Sequence, residues 1–346
     1  MSNPKPSVTL PPGRFLDLPG RGVTFVRDQP GPIGAPIVML LHGWTATADL
    51  NFFRVFPRLV GSYRVLAMDL RGHGRGIRPR AYFRLEDCAD DVIAVADQLG
   101  IDRLVPVGYS MGGAVAQLVA HRHPARCAGV VLCSTSGSFR APEGSDRFIR
   151  ESVATAMAAA LTFTPAALGQ QLLSRFVLAR KDGTVPDWML DEMRRNDPAA
   201  LAQAGVALGR FDSTEWIGEL GRNGASGVPA AVVITTQDGT VPPARQRALA
   251  AAMTGANVFE VAADHRAAIT SADEWVPQLR KALAAVLRLG AERRPPPSHE
   301  RRAVRSGFAS RIRAPARKHT RGEAKAQRRP PPSHEPGSAH RSRSPG

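Results

Sequence analysis

Continuous apolar runs alternate along most of this chain with segments whose apolar residues recur every three or four positions. The runs are typical of strands buried on both faces, and the wider spacing indicates one face of a helix. Residues 14–27 alternate around Pro19 and Gly20, which favours a hairpin. This order predicts an α/β fold in which helices cover both faces of a parallel sheet. The predicted strands are 35–41, 63–70, 104–108, 128–133, 229–236 and 257–261. The predicted helices are 85–99, the segment after 110, 243–253 and 275–289.

The strand pattern disappears between residues 137 and 227. Segments rich in Ala and Leu with helical spacing replace it, such as 152–161 and 200–208. The strand pattern resumes at residue 229, so we interpret the stretch 137–227 as a helical cap inserted into the sheet domain.

The composition changes after Gly290, where Pro, Arg and Ser dominate and aliphatic residues are few. The segment R-R-P-P-P-S-H-E occurs at 293–300 and again at 328–335. Such a segment cannot bury enough apolar area to offset its ordering entropy. We therefore predict one domain over 1–290 and a disordered, basic tail over 291–346.

The net charge of +16 is concentrated in this tail. About 15 Lys and Arg residues against about four Asp and Glu place roughly +11 of the charge after residue 290. If any part of the chain binds nucleic acid or another acidic polymer, we therefore expect it to be the tail. A dispensable extension is the simpler interpretation, and we favour it.

The cysteines Cys88, Cys127 and Cys133 are odd in number and lack the spacing of a disulfide framework or a metal site. We expect Cys88 and Cys133 to be core thiols. The first ten residues lack the apolar segment of a signal peptide, and no run of 18 apolar residues occurs. The default expectation is a cytoplasmic protein with no membrane span and no metal.

Residues 108–112, G-Y-S-M-G, carry the strongest chemical signal. They fit the G-x-S-x-G pattern, in which a serine occupies a sharp turn between a strand and a helix. Glycines flank such a serine because side chains there would collide with the strand or the helix. The pattern alone is weak, at roughly 0.2 chance matches per chain, and gains its specificity from the predicted strand before it and helix after it. The alternative is a bystander serine in a glycine-rich turn.

Ser110, Asp238 and His265 each follow a predicted strand. Open α/β sheets place their sites at the carboxyl ends of strands, and serine, acid, histidine is the chain order that accompanies this turn. Ser110 would attack a carbonyl, His265 would take its proton, and Asp238 would orient and stabilise the imidazole. The simpler alternatives are a turn-forming aspartate and a surface-loop histidine.

Other residues compete for these roles. Asp212, Glu260 and Asp264 are rival acids, although Asp264 is adjacent to His265 in sequence and adjacent side chains rarely point at each other. Serine and threonine, rather than a carboxylate, follow the strand that ends at residue 133. His42 and His73 are rival bases, but each lies in a glycine-rich turn that accounts for it.

Two backbone N–H groups are needed to stabilise the oxyanion of acyl transfer. The first is expected from Met111, the residue after the nucleophile. The second is expected from Trp44 in the loop after the first buried strand. The Trp44 indole either lines the acyl pocket or is part of the core.

Five features together resemble the α/β-hydrolase superfamily: 42–44 (H-G-W), 69–74 (D-L-R-G-H-G), 108–113 (G-Y-S-M-G-G), Asp238 and His265. The resemblance covers about residues 20–290. It implies an eight-stranded, mostly parallel sheet covered by helices, a lid after the sixth strand, and hydrolysis without a cofactor.

The resemblance also assigns Asp69 and His73 to a structural turn. Members of the superfamily usually carry Gly before the catalytic histidine, whereas this chain has Asp264. Dehalogenase and epoxide-hydrolase branches use an aspartate nucleophile, and Ser110 argues against both.

The first functional hypothesis is a serine hydrolase that cleaves small carboxylic esters with an apolar acyl or alcohol part. The second keeps the same residues for a cofactor-free perhydrolase or a hydrolase of C–C bonds. The third is a non-enzymatic protein that uses the pocket, or the tail, for binding.

Overall fold

The computed structural model describes residues 10–79, 82–140, 168–169, 171, 187–221 and 226–292. The predicted helix 152–161 and nearly all of the predicted tail 291–346 lie outside these residues. The division into a 1–290 domain with a cap and a separate tail therefore stays a prediction.

Eight strands form a single sheet, as predicted. They are β1 (Gly13–Leu18), β2 (Gly22–Gln29), β3 (Ile37–Leu41), β4 (Arg64–Met68), β5 (Val105–Tyr109), β6 (Val130–Cys133), β7 (Ala230–Thr235) and β8 (Asn257–Val261). Their order is β1-β2-β4-β3-β5-β6-β7-β8. Strand β2 runs antiparallel to both of its neighbours, and every other pair is parallel.

Helices cover both faces of the sheet. They are α1 (Ala48–Phe52), α2 (Phe56–Leu59), α3 (Leu85–Gln98), α4 (Met111–Arg122), α5 (Asp187–Arg194), α6 (Pro198–Arg210), α7 (Pro243–Ala252), α8 (Ala267–Thr270) and α9 (Ala272–Glu292). One apolar core lies between the sheet and α3, α4 and α7, and the other between the sheet and α1, α2 and α9.

The continuous apolar runs are explained by these two cores. In β3, Met39 and Leu41 belong to one core, whereas Val38 and Leu40 belong to the other. All four side chains are fully buried. Successive side chains of a strand point to opposite faces, so a strand covered on both sides is apolar at every position.

Helices α1 and α2 lie in a stretch where the apolar pattern predicted no element. Both have at most five residues, too few for a helical period to be visible in the sequence. Helix α1 begins at Thr47, whose hydroxyl accepts a hydrogen bond from the Leu50 N–H at 3.1 Å. Such N-caps stabilise short helices.

Between β6 and β7 the structure describes two main helices, α5 and α6. The predicted helical segment 200–208 lies within α6, which begins after the N-cap residue Asp197. Helix α5 was not predicted. Whether this segment forms a cap over the site stays a prediction.

Cys88, Cys127 and Cys133 are all buried free thiols. Burial raises the pKa of each thiol, that of Cys127 to about 12. This suits the packing role predicted for Cys88 and Cys133. Among the described residues, no helix is both long and apolar enough to cross a bilayer.

Close approach of α4 to the sheet requires glycine. A Cβ on Gly112 would lie 2.1 Å from the Leu41 carbonyl oxygen, and one on Gly108 would lie 2.2 Å from the Gly112 carbonyl oxygen. Both contacts are with backbone, which cannot move aside as a flexible side chain can. The start of α4 therefore packs directly on the ends of β3 and β5.

We expect Gly112→Ala to lower the free energy of unfolding by about 3 kcal/mol or more, because the new methyl group overlaps backbone. Gly209→Ala is the matched control, since nothing lies within 4 Å of a Cβ at that helical position. The control should be neutral or stabilising by up to about 1 kcal/mol. Urea unfolding of both variants tests this, and equal stabilities would contradict it.

Candidate active site

Ser110 lies at the turn between β5 and α4 in an unusual backbone conformation. Its φ is +54° and its ψ is −117°, a region that residues other than glycine rarely adopt. The Ser110 N–H donates to the Cys133 carbonyl at 3.0 Å, and the Thr135 hydroxyl donates to the Ser110 carbonyl at 2.8 Å. These bonds to the end of β6 hold the turn in place.

His265 contacts the Ser110 side chain although the two are 155 residues apart. The distance from His265 Nε2 to Ser110 Oγ is 3.0 Å. His265 follows β8, and its backbone carbonyl accepts a hydrogen bond from the Tyr109 hydroxyl at 2.9 Å. Tyr109, the last residue of β5, thus holds the His265 backbone close to Ser110, the next residue along the chain.

Asp238 binds the other imidazole nitrogen. His265 Nδ1 lies 2.7 Å from Asp238 Oδ2. Because Nδ1–H donates to the carboxylate, Nε2 is left as the acceptor for the Ser110 hydroxyl. The structure therefore brings together the three residues that the sequence pattern singled out.

Burial alone would raise the pKa of Asp238. The hydrogen bond from His265 and the backbone N–H of Val241 act in the opposite direction and hold this pKa below its usual value. Asp238 Oδ1 also accepts from the Thr240 N–H at 2.9 Å. The carboxylate is thus ionised at neutral pH inside a buried site.

Two residues that support Asp238 were missed by the sequence reasoning. The Thr235 hydroxyl lies 2.8 Å from Asp238 Oδ2, and Gln246 Nε2 lies 3.2 Å from the same atom. Gln246 is fully buried and also donates to the Val241 carbonyl at 2.8 Å. The sequence did contain a signal for Gln246: it lies three positions before Leu249 in a predicted helix, so the two share the buried face of α7.

The rival acids do not contact His265. Asp264 pairs with Arg266, and Glu260 pairs with Arg247. Asp212 accepts hydrogen bonds from the backbone and side chain of Thr214.

The loop after β3 lies against the serine turn. A Cβ on Gly43 would be 3.4 Å from Ser110 Cβ. The backbone N–H groups of Trp44 and Met111 have no acceptor among the described residues. Neither N–H group is therefore occupied by another residue in this part of the chain.

The Trp44 indole is not a core side chain. It is 44% exposed, and its Nε1–H donates to the Leu201 carbonyl in α6 at 2.9 Å. Of the two alternatives for this side chain, the core position is therefore wrong.

His42 and His73 are buried, and neither is the histidine that hydrogen-bonds to Ser110. His42 Nδ1–H donates to the Gly43 carbonyl at 2.8 Å, and Nε2 accepts from the Leu70 N–H at 2.9 Å. Burial lowers the pKa of His42 to about 4. Burial, followed by the effect of the nearby His42, lowers the pKa of His73 to about 3. Both are neutral structural groups at physiological pH.

Asp69 is likewise structural. Its Oδ1 accepts from the Ala48 N–H, and its Oδ2 accepts from the backbone and side chain of Arg75, all at 2.9 Å. It connects the turn after β4 to the start of α1.

No group of three His, Cys, Asp or Glu side chains in the described part of the chain is arranged to hold a metal ion. A surface cleft of about 430 Å³ lies beside Arg21, Arg71 and Arg78, and its lining includes none of Ser110, Asp238 and His265.

A family model described as the alpha/beta hydrolase fold matches residues 36–271. The chain belongs to the alpha/beta hydrolase family. The matched region includes Trp44, Met111 and the three residues joined by hydrogen bonds. The expected superfamily and its eight-stranded sheet are confirmed.

Curated relatives in this hydrolase family have different activities. Epoxide hydrolase B of Mycobacterium tuberculosis is 37% identical over 121 residues, 34% of each chain. A bifunctional esterase/perhydrolase of Acinetobacter calcoaceticus is 35% identical over 30% of this chain and 37% of its own. A 2-hydroxymuconate semialdehyde hydrolase of a Pseudomonas strain is 38% identical over 33% and 41%. The aligned region thus spans only about a third to two fifths of these relatives.

Solved structures of hydrolases align over much more of the chain. The enol-lactonase of Burkholderia xenovorans is 25% identical, with a TM-score of 0.61 over 78% of this chain and 100% of its own. A hydrolase of Pseudomonas aeruginosa is 21% identical, with a TM-score of 0.63 over 79% and 98%. The latter likeness shows the fold alone.

The lowered pKa values predict loss of stability in acid. Between about pH 6.5 and 5 the unfolded chain protonates His42 and His73 while the folded protein does not. The free energy of unfolding therefore falls with decreasing pH, by up to about 1.4 kcal/mol per pH unit for each histidine. His73→Asn should reduce this slope, as measured by urea unfolding across the window. A slope identical to that of the original protein would contradict the prediction.

Proposed function

We propose that this protein is a serine hydrolase of small carboxylic esters that acts through an acyl-enzyme intermediate. One observation carries the proposal: an unbroken hydrogen-bond chain from Asp238 through His265 to Ser110, with distances of 2.7 and 3.0 Å. An acid, a base and a hydroxyl within hydrogen-bond reach are the requirement for an activated nucleophile.

In the acylation step, Ser110 Oγ attacks the ester carbonyl carbon while His265 Nε2 takes the hydroxyl proton. Asp238 stabilises the imidazolium that forms. The N–H groups of Trp44 and Met111 bind the oxyanion, each contributing about 3 kcal/mol to the transition state. His265 then gives its proton to the leaving alkoxide, so the alcohol departs and an ester to Ser110 remains.

In the deacylation step, water attacks the same carbonyl carbon and His265 takes one of its protons. The tetrahedral intermediate collapses, the bond to Ser110 Oγ breaks, and His265 returns the proton to the serine. A carboxylic acid leaves and the enzyme is regenerated. The same two backbone N–H groups serve both steps.

The substrate class is proposed to include an apolar acyl or alcohol part. Trp44 supports this, because its half-exposed indole is on the same residue whose backbone N–H is proposed to bind the oxyanion. The indole also contacts the segment after β6, through its hydrogen bond to the Leu201 carbonyl in α6.

A second candidate is perhydrolysis on the same residues. It is favoured by Trp44, since a tryptophan after His-Gly resembles some perhydrolase-type members, and by the relative named as an esterase/perhydrolase. Hydrogen peroxide would replace water in attacking the acyl-enzyme, and a peracid would leave. The rate of peracid formation from acetate and peroxide, compared with the rate of ester hydrolysis, distinguishes the two reactions. Comparing turnover of a C–C hydrolase substrate with ester hydrolysis tests the C–C alternative in the same way.

Ser110→Ala should reduce kcat for short p-nitrophenyl esters by at least about 10³-fold, because the nucleophile is lost. Ser62→Ala is the control, since that serine lies on the surface after α2 and contacts Arg280. Unchanged circular dichroism should accompany the loss. Turnover by Ser110→Ala close to that of the original protein would refute the proposal.

Asp238→Asn should reduce kcat by about 10³–10⁴-fold, because an amide would hold the wrong imidazole tautomer. Asp264→Asn is the matched control. Asp264 is adjacent to the same histidine but pairs with Arg266, so its kcat should change less than about threefold. Equal losses in the two variants would contradict the assignment of the acid.

A further inference from the structure

The oxyanion loop, residues 43–45, is held by side chains as well as by its own backbone. The Gly43 N–H donates to Asn51 Oδ1 in α1 at 2.9 Å. The Ala46 N–H donates to the Gly43 carbonyl at 3.3 Å. Thr45 has a φ of +65°, and a strained residue of this kind persists only where its surroundings fix it.

Asn196 supplies a contact from a distant part of the chain. It lies between α5 and α6 and is only 1% exposed. Its Nδ2 donates to the Thr45 carbonyl at 3.0 Å, across 151 residues of sequence. The strained residue next to the Trp44 donor is therefore fixed by a buried amide.

The same amide is anchored to the loop after β4. Asn196 Oδ1 accepts from the Gly74 N–H at 2.8 Å, and the Asp197 N–H donates to the Gly72 carbonyl at 3.2 Å. Asn196 thus bridges the loops that follow β3 and β4. Its position does not depend on the oxyanion loop alone.

Helix α6 adds a second connection to the oxyanion loop. The Trp44 indole donates to the Leu201 carbonyl, and its ring lies over Gly205, where a Cβ would be 2.8 Å from the indole. The residue that provides the N–H group is therefore connected to the same segment of chain as Asn196.

We propose that Asn196 is a positioning residue for the oxyanion hole. By binding the Thr45 carbonyl, it fixes the loop so that the Trp44 N–H stays directed at the anion formed beside Ser110. The segment 187–210 thereby sets the efficiency of acyl transfer without contacting the reacting atoms. This inference rests on the proposed ester hydrolysis.

Asn196→Asp is the main test variant. It is nearly isosteric and keeps the acceptor for the Gly74 N–H, but it loses the donor to the Thr45 carbonyl. Asn196→Ser is a second, uncharged variant whose side chain is too short to bridge the two loops. Arg195→Gln is the matched control, because the Arg195 side chain pairs with Glu192 and not with the oxyanion loop.

The readout is the ratio of kcat values for an oxygen ester and its thiono analogue. Sulfur is a weak hydrogen-bond acceptor, so the thiono ester depends little on the oxyanion donors. Both Asn196 variants should lose about 10- to 100-fold in kcat on the oxygen ester, less than about threefold on the thiono ester, and change KM little. Arg195→Gln should leave the ratio unchanged.

An unchanged ratio, or an equal loss on both esters, would overturn the inference. Loss of the native melting transition in both Asn196 variants would also overturn it, by assigning Asn196 to the stability of the fold.

Hydrogen exchange gives a readout that needs no activity. The Gly43 and Ala46 amides should exchange at least about tenfold faster in the Asn196 variants than in Arg195→Gln. Unchanged exchange would overturn the inference whatever the activity. An unmodified protein that hydrolyses neither ester would refute the proposed function, and the exchange rates would still decide the role of Asn196.

Discussion

The turn at Ser110 is the constraint on which the rest of the site depends. A non-glycine residue with φ of +54° costs about 1–3 kcal/mol, so the surrounding structure has to impose that conformation. Hydrogen bonds to Cys133 and Thr135 do so from one side. On the other side of the turn, α4 packs directly on the end of β3, and this packing further restricts the backbone conformation at Ser110. The hydroxyl consequently lies at the carboxyl end of the central strand β5, where His265, 155 positions later, contacts it.

Burial has opposite consequences for the charged groups around this turn. At Asp238, several donors outweigh desolvation, and the pKa of the carboxyl is lowered. At His42 and His73 desolvation dominates, and the pKa of each imidazole is lowered so that it stays neutral. The carboxyl end of the sheet therefore combines a fixed negative charge, which can stabilise an imidazolium at His265, with neutral histidines that hold backbone loops.

The sequence predicted the sheet and the central residues because both leave local signals. Buried parallel strands are apolar at every position, and G-x-S-x-G reflects the sterics of one turn. Helices α1 and α2 were missed because they are too short for a visible period. Asn196 was missed for a different reason. Its partners, Thr45 and Gly74, lie more than 120 residues away, and no local pattern encodes such a contact.

The most direct test of the central claim is covalent labelling by a fluorophosphonate, located by peptide mapping. The phosphorus should bond to Ser110 Oγ with loss of fluoride, because the neighbouring imidazole makes that hydroxyl nucleophilic. Trypsin releases Ser110 in the peptide 104–122, which contains no other serine. The account predicts stoichiometric label on that peptide. Folded protein that remains unlabelled, or is labelled at a different residue, would contradict it.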